Sequence, residues 1–207
     1  MKILIIGVSR SGTNSLQSGI ESQNYFSIKE PFNTGLLNGR THRYPIKEFD
    51  LHKNVVVKTL SHHIPTNINL DLISFYKIFL KDFNSIILLD RKDIISHRES
   101  FLHLNWRIDN KEPVMQRWQI EDIPEYYKVE FGYGPNNRYS ELHNQKKYIK
   151  LLSNEFNIPI SYYEDLYGTD RQLSFDIIKS WNLNLNDELL NEYLSPKNKL
   201  RQFKKKI

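Results

Sequence analysis

Four consecutive aliphatic residues, Ile3-Leu4-Ile5-Ile6, run straight into Gly7-Val8-Ser9-Arg10-Ser11-Gly12-Thr13-Asn14-Ser15-Leu16, with Leu16 and Ile20 one helical turn apart. A continuous rather than alternating apolar run is what a strand covered on both faces requires, and such strands belong to parallel sheets flanked by helices. The chain therefore opens as strand, glycine loop, helix. Further runs of this kind recur at Val55-Val56-Val57 and Ile86-Ile87-Leu88-Leu89, with a weaker one at Ile158-Pro159-Ile160-Ser161-Tyr162. Helical patterns lie around them: Leu72, Tyr76 and Phe79; Leu142, Ile149, Leu152 and Phe156; Leu173, Ile177 and Trp181. Strand and helix in alternation predict an α/β fold with a central parallel sheet and right-handed crossovers.

A chain of 207 residues, 39% hydrophobic and 26% charged, is read as one soluble domain spanning 1–207, long enough to bury roughly 70% of its unfolded surface. With no cysteine, disulfides, thiol nucleophiles, iron–sulfur clusters and cysteine-rich zinc sites are excluded. The chemistry must run on oxygen and nitrogen groups. His97 and His103 lack acidic companions at ligand spacing, so no metal site is expected. The first apolar run is too short for a membrane span or a signal segment, and a cytoplasmic location is expected. The net charge of +5 is more than supplied by the tail at 197–207, which holds Lys197, Lys199, Arg201, Lys204, Lys205 and Lys206 and no acid. The near-neutral body argues against a nucleic-acid face. Between about 105 and 137, Trp106, Pro113, Trp118, Pro124, Tyr126, Tyr127, Phe131, Tyr133 and Pro135 crowd among charges. This stretch reads either as an insertion or lid or as a helical subdomain, and its aromatic rings either stack on a sugar or aromatic acceptor or form a small core.

Gly7 and Gly12 have the spacing of the two glycines of a Walker A loop. Such a loop curls so that amides converge, and the free donors and dipole of the following helix add to a site for a phosphate or sulfate oxyanion. The lysine that bridges phosphates in a Walker A loop is replaced by Thr13, which weakens a kinase or ATPase reading. Arg10 is the loop's cation.

Arg10-Ser11-Gly12-Thr13-Asn14-Ser15-Leu16 resembles the 5′-phosphosulfate loop of sulfotransferases that use 3′-phosphoadenosine 5′-phosphosulfate (PAPS): a Lys or Arg, then Ser-Gly-Thr-Thr or Ser-Gly-Ser-Thr, then an apolar residue. The family's second loop has an Arg ending a buried strand and a Ser about eight residues on, which together hold the donor's 3′-phosphate. Arg91 follows Ile86-Ile87-Leu88-Leu89-Asp90 here, with Ser96 and Ser100 both offered for the serine. With a helix capped near Asp93 the two serines share one face. Tyr162-Tyr163-Glu164-Asp165-Leu166 is similar to a Tyr-Glu-Asp-Leu segment late in many sulfotransferases, where an acidic pair can cap a helix or anchor basic loop residues. The resemblance covers residues 3 to about 194, leaves 105–137 unmatched, and implies a P-loop NTPase-like three-layer fold. PAPS would then be the co-substrate and a hydroxyl-bearing molecule, a glycan in the carbohydrate-type enzymes, the acceptor.

Sulfuryl transfer to an alcohol requires a base, positive charge for the moving group and the leaving phosphate, and in-line positioning. Arg10 with the backbone amides of Ser11, Gly12, Thr13 and Asn14, next to Ser15, is expected to supply the second. For the base, Glu30 is favoured: it precedes Pro31 at the expected end of a second strand, and the same Glu-Pro pair is found in carbohydrate-type sulfotransferases. His62 and His63 are the other candidates, in Lys58-Thr59-Leu60-Ser61-His62-His63, which is similar to a stretched Lys-Thr-His segment of the cytosolic enzymes. Lys58 either neutralises charge on the sulfuryl group or is an edge lysine reaching to solvent, and the tail is either a solvated end or brings Lys197, Lys199 or Arg201 over the donor 3′-phosphate, as the resemblance implies. The rival readings are a nucleotide or small-molecule kinase with an aberrant Walker loop and a non-catalytic nucleotide-binding protein.

Overall fold

Ile3, Leu4, Ile5 and Ile6 are all completely buried in the computed structural model, which describes residues 1–33, 44–110, 123–133, 138–183 and 185–194. They form the middle of β1 (Lys2–Gly7), which with β2 (Phe26–Lys29), β3 (Val55–Leu60), β4 (Ser85–Asp90) and β5 (Ile160–Tyr162) makes one all-parallel sheet in the order β2-β3-β1-β4-β5. The helices are α1 (Thr13–Glu21), α2 (Leu72–Phe79), α3 (Ile94–Asp109), α4 (Glu125–Tyr133), α5 (Arg138–Phe156), α6 (Tyr163–Tyr167), α7 (Arg171–Ser180) and α8 (Asp187–Leu194).

Strand side chains alternate between faces, so each apolar run feeds two cores. Leu4, Ile6, Val55, Val57 and Leu88 pack with Phe75 and Phe79 of α2, Phe101 of α3 and Leu142, Ile149 and Leu152 of α5. Ile3, Ile5, Val56, Ile87 and Leu89 pack with Leu16 and Ile20 of α1, Ile178 of α7 and Leu190 and Leu194 of α8. The result is the expected three-layer α/β arrangement. None of the described helices is long and apolar enough to cross a membrane.

In register, Gly7 lies level with Leu60 and Leu89, and Lys29 with Lys58, so the segments that follow β1, β2, β3 and β4 emerge at one edge. The helices after the neighbouring strands β1 and β4 depart to opposite faces of the sheet, α1 to one and α3 to the other. Such a parting of loops at the carboxyl edge is where open α/β sheets place ligands.

The described part of the 105–137 segment is helical. α3 continues to Asp109, and α4 returns its aromatic rings to the main core: Trp106 meets Tyr127 with ring centroids 4.7 Å apart, and Phe131 packs edge-on against Phe101 and Tyr139. Of the two readings of these rings, Trp106, Tyr127 and Phe131 follow the small-core one. Pro113, Trp118 and Pro135 lie outside the described residues, as does the tail with Lys197, Lys199 and Arg201.

Phe79 meets Phe32, Tyr44, Phe75, Tyr76 and Phe83 ring to ring and is fully buried. Phe32 stands two residues after Glu30, so this cluster also anchors the turn that follows β2. Phe79→Ala is expected to lower the unfolding free energy by about 3–5 kcal/mol in urea titrations.

Candidate functional site

The turn after β1 has little room for side chains. A Cβ on Gly7 would stand 2.2 Å from Cγ2 of Thr13; Gly12 has φ +88°, and its Cβ would meet Cε2 of Tyr167 at 2.6 Å. Both glycines are thus required by contact, and Gly12 by its left-handed backbone as well. The Val8 amide donates to the Leu89 carbonyl, and both the amide and the hydroxyl of Ser11 donate to the Val8 carbonyl, at 3.2 and 2.7 Å. The Ser11 amide thus closes the turn on itself, while those of Thr13 and Asn14 lie at the helix start. Thr13 and Asn14 open α1, whose first amides have no acceptor within the helix. Thr13 is buried and Asn14 is exposed.

Groups from distant elements fix the turn's outer side. Gln145 of α5, fully buried, accepts the Ser9 amide with Oε1 at 2.7 Å. His97 of α3, also fully buried, meets the Ser9 carbonyl at 2.6 Å through Nε2. Since a carbonyl only accepts, Nε2 carries the proton, and burial lowers the ring's pKa and favours that neutral form. Tyr167 donates to the Gly12 carbonyl at 2.6 Å, and Tyr163 stacks on Tyr167.

Arg10 is an exposed residue in the left-handed conformation, φ 66°, with Nε donating to the Ser100 hydroxyl at 3.0 Å. Crowding of its guanidinium, and then the charges of Arg107 and Arg91, lower its pKa, with Tyr163 opposing. Arg91 lies over the Tyr163 ring, 4.5 Å from the centroid, and its Nε is 3.5 Å from Glu164. Glu164 also accepts the backbone amides of Lys92 and Asp93, while Asp165 pairs with Lys92 at 2.8 Å. The acidic pair after β5 therefore holds the segment after β4. Of the two serines, Ser96 donates to Asp93, the N-cap of α3, while Ser100 faces Arg10. Ser100 thus joins the second segment to the glycine loop through Arg10.

On the other side of β1, Lys58, 3% exposed, forms an ion pair and hydrogen bond with Glu30. Glu30 also takes a left-handed backbone, φ 46°, its amide bonded to the Lys58 carbonyl and its second carboxylate oxygen accepting from Asn33 at 2.6 Å. Burial would raise the carboxyl pKa; the Lys58 charge and the hydrogen bonds from Lys58 and Asn33 outweigh it and hold the group below its ordinary value. Of the five non-glycine residues with positive φ among the described ones, Asn24, Asn157 and Asn182 are of a type that tolerates it; Arg10 and Glu30 are not. Strain of this kind persists only where surrounding contacts impose it. His62 and His63 stack edge-on at 4.4 Å. Burial, then the neighbouring His62 charge, pushes His63 down to about 4, with Glu30 opposing, so it is neutral at pH 7.

A cavity of about 500 Å³ opens beside His62, lined by Ile64, Leu72, Glu141, Asn144 and Tyr148 and floored by Gln145. Gln145 ties it to both flanking loops: Oε1 to Ser9, Nε2 to Glu141, and its carbonyl to the hydroxyl of Ser61. Sequence reading passed over Gln145, although it interrupts the apolar stripe Leu142, Ile149, Leu152 at helical spacing. A polar residue in a buried stripe must have partners.

Gly12→Ala would force a methyl into Tyr167 from a left-handed backbone, and is expected to destabilise the fold by about 1–3 kcal/mol and displace the Tyr163–Tyr167 stack, visible in urea unfolding and near-ultraviolet circular dichroism. For the Glu30–Lys58 pair the pKa shift sets the sign. A carboxyl with a lowered folded pKa stabilises above its unfolded value and loses that contribution as pH falls through the folded one. The stability difference between wild type and Glu30→Gln should therefore be greatest near neutrality, about 3 kcal/mol, and vanish in acid, where protonated Glu30 resembles glutamine; a difference independent of pH would contradict the pairing. No family model and no curated protein matches this chain.

Proposed function

We propose that the chain is a sulfotransferase that moves a sulfuryl group from PAPS to an acceptor hydroxyl of a carbohydrate. The observation that carries this reading is the pairing of two strained, chemistry-bearing turns at one sheet edge: the Arg10 loop opening α1 and the Glu30 turn locked onto Lys58. An oxyanion at the head of α1 would meet the amides of Gly12, Thr13 and Asn14 and the Arg10 cation, donors aimed before the reaction begins. Arg91, held over Tyr163, is the candidate for the donor's 3′-phosphate.

In the reaction the acceptor hydroxyl gives its proton to the base, its oxygen forms the new S–O bond, and the S–O bond to the 5′-phosphate breaks, leaving adenosine 3′,5′-bisphosphate and a sulfate ester. Glu30 suits the base because its low basicity at rest is imposed by Lys58. When Lys58 turns to the sulfuryl oxygens, burial remains to raise the carboxyl pKa and strengthen the base. His63, driven down to about 4, has lost most of the basicity an ordinary imidazole would bring to the step. The cavity beside His62 combines an apolar wall of Ile64, Leu72 and Tyr148 with Glu141 and Asn144, a lining suited to a sugar ring.

Titration calorimetry with adenosine 3′,5′-bisphosphate against magnesium ATP tests the reading. Binding that requires the 3′-phosphate and is lost more for that ligand than for adenosine 5′-monophosphate in Arg91→Ala supports it; preference for magnesium ATP supports a kinase. Glu30→Gln is expected to cut kcat about 100-fold or more with donor affinity little changed, and an unchanged kcat moves the base to His62 or His63.

A further inference from the structure

α3 faces the glycine loop along one side. His97 grips the Ser9 carbonyl, and Ser100 receives Arg10 Nε one turn later. Arg107 stands seven residues beyond Ser100, two helical turns along the same face. It is half-buried, and its Nε is fully covered without a hydrogen-bond partner. No carboxylate among the described residues pairs with Arg107, although Arg138, on the facing helix α5, is matched to Asp109 at 3.2 Å. Arg107 is moreover near enough to Arg10 to act on it electrostatically. Two guanidiniums on this side of the loop, neither with a carboxylate partner among the described residues, repel each other, and that of Arg107 is partly stripped of water. A doubly charged oxyanion reverses both penalties, since each arginine presents a planar fork of donors to it.

We infer that Arg107 is a further binding residue of the loop site, clamping with Arg10 a single phosphate- or sulfate-type oxyanion held over the amides at the start of α1. This rests on the proposed function for the identity of the nucleotide, but not for the anion. Arg91 serves a different part of the ligand, being committed to Tyr163 and Glu164 at the segment after β4. Arg107 also explains why Arg10 is tethered by a neutral serine. A carboxylate there would neutralise the positive charge that the anion needs.

Calorimetric titrations of wild type, Arg107→Gln, Arg107→Lys and Arg10→Ala with adenosine 3′,5′-bisphosphate, adenosine 3′-monophosphate and inorganic pyrophosphate test this. Arg107→Gln should weaken the bisphosphate and pyrophosphate by roughly 10- to 100-fold, leave the 3′-monophosphate unchanged, and keep the wild-type urea midpoint. Arg107→Lys should recover part of the loss. The double variant Arg10→Ala/Arg107→Gln should lose less than the product of the single losses. Wild-type affinities for bisphosphate and pyrophosphate in Arg107→Gln, or an equal loss for the 3′-monophosphate, overturn the inference and leave the sulfotransferase reading standing. Pyrophosphate binding that depends on Arg107 in a protein indifferent to the nucleotide overturns the sulfotransferase reading and keeps the clamp; a wild type that binds none of the probes overturns both.

Discussion

β1 is hydrogen-bonded on both edges and covered on both faces, and the chain must leave it through a turn in which Gly7 touches Thr13 and Gly12 touches Tyr167. Every other feature of the site depends on that exit. The strand cannot slide, because a shift of one residue would exchange its two cores. The turn cannot relax, because Gln145 and His97 hold Ser9 from one side while Tyr167 holds Gly12 from the other. What faces outward is the start of α1, with the amides of Thr13 and Asn14, and the guanidinium of Arg10, tethered by its Nε to Ser100.

Charge is distributed around this exit with a consistent logic. Carboxylates stand behind the basic segments they steady: Glu164 and Asp165 behind Arg91 and Lys92, Asp90 behind Lys146, Glu30 beside Lys58. Arg10 is met by the hydroxyl of Ser100 instead. A buried pair such as Glu30 with Lys58 is poor evidence for stability in itself, since desolvation offsets much of its attraction. Its meaning lies in Glu30 being held in a left-handed backbone to make it. Both departures from easy backbone geometry at residues other than asparagine, among the described ones and glycine aside, carry a group that the proposed sulfuryl transfer would use.

The sheet was legible because its strands are covered twice: Ile3 to Ile6, Val55 to Val57 and Ile86 to Leu89 are continuous apolar runs for a physical reason. β2 was harder to see, being a four-residue strand at the sheet's edge with two exposed positions. At the site, Arg10, Glu30 and Lys58 could be picked out from motif and placement, because loops that need glycines and turns that need proline leave local marks. His97 and Arg107 could not, and Gln145 showed only as a polar break in an apolar stripe, since their partners lie far along the chain and their places come from helix faces meeting a loop. The choice between Ser96 and Ser100 illustrates the same point. Both lie on one helical face, and only the packing of α3 against the loop gives one to the cap and the other to Arg10.

The most direct measurement is a crystal structure of the chain with adenosine 3′,5′-bisphosphate. The account predicts the 5′-phosphate at the start of α1, in contact with the Thr13 and Asn14 amides and with Arg10, and the 3′-phosphate at Arg91. A nucleotide whose phosphates lie away from this turn, or whose 3′-phosphate points into solvent, would contradict it.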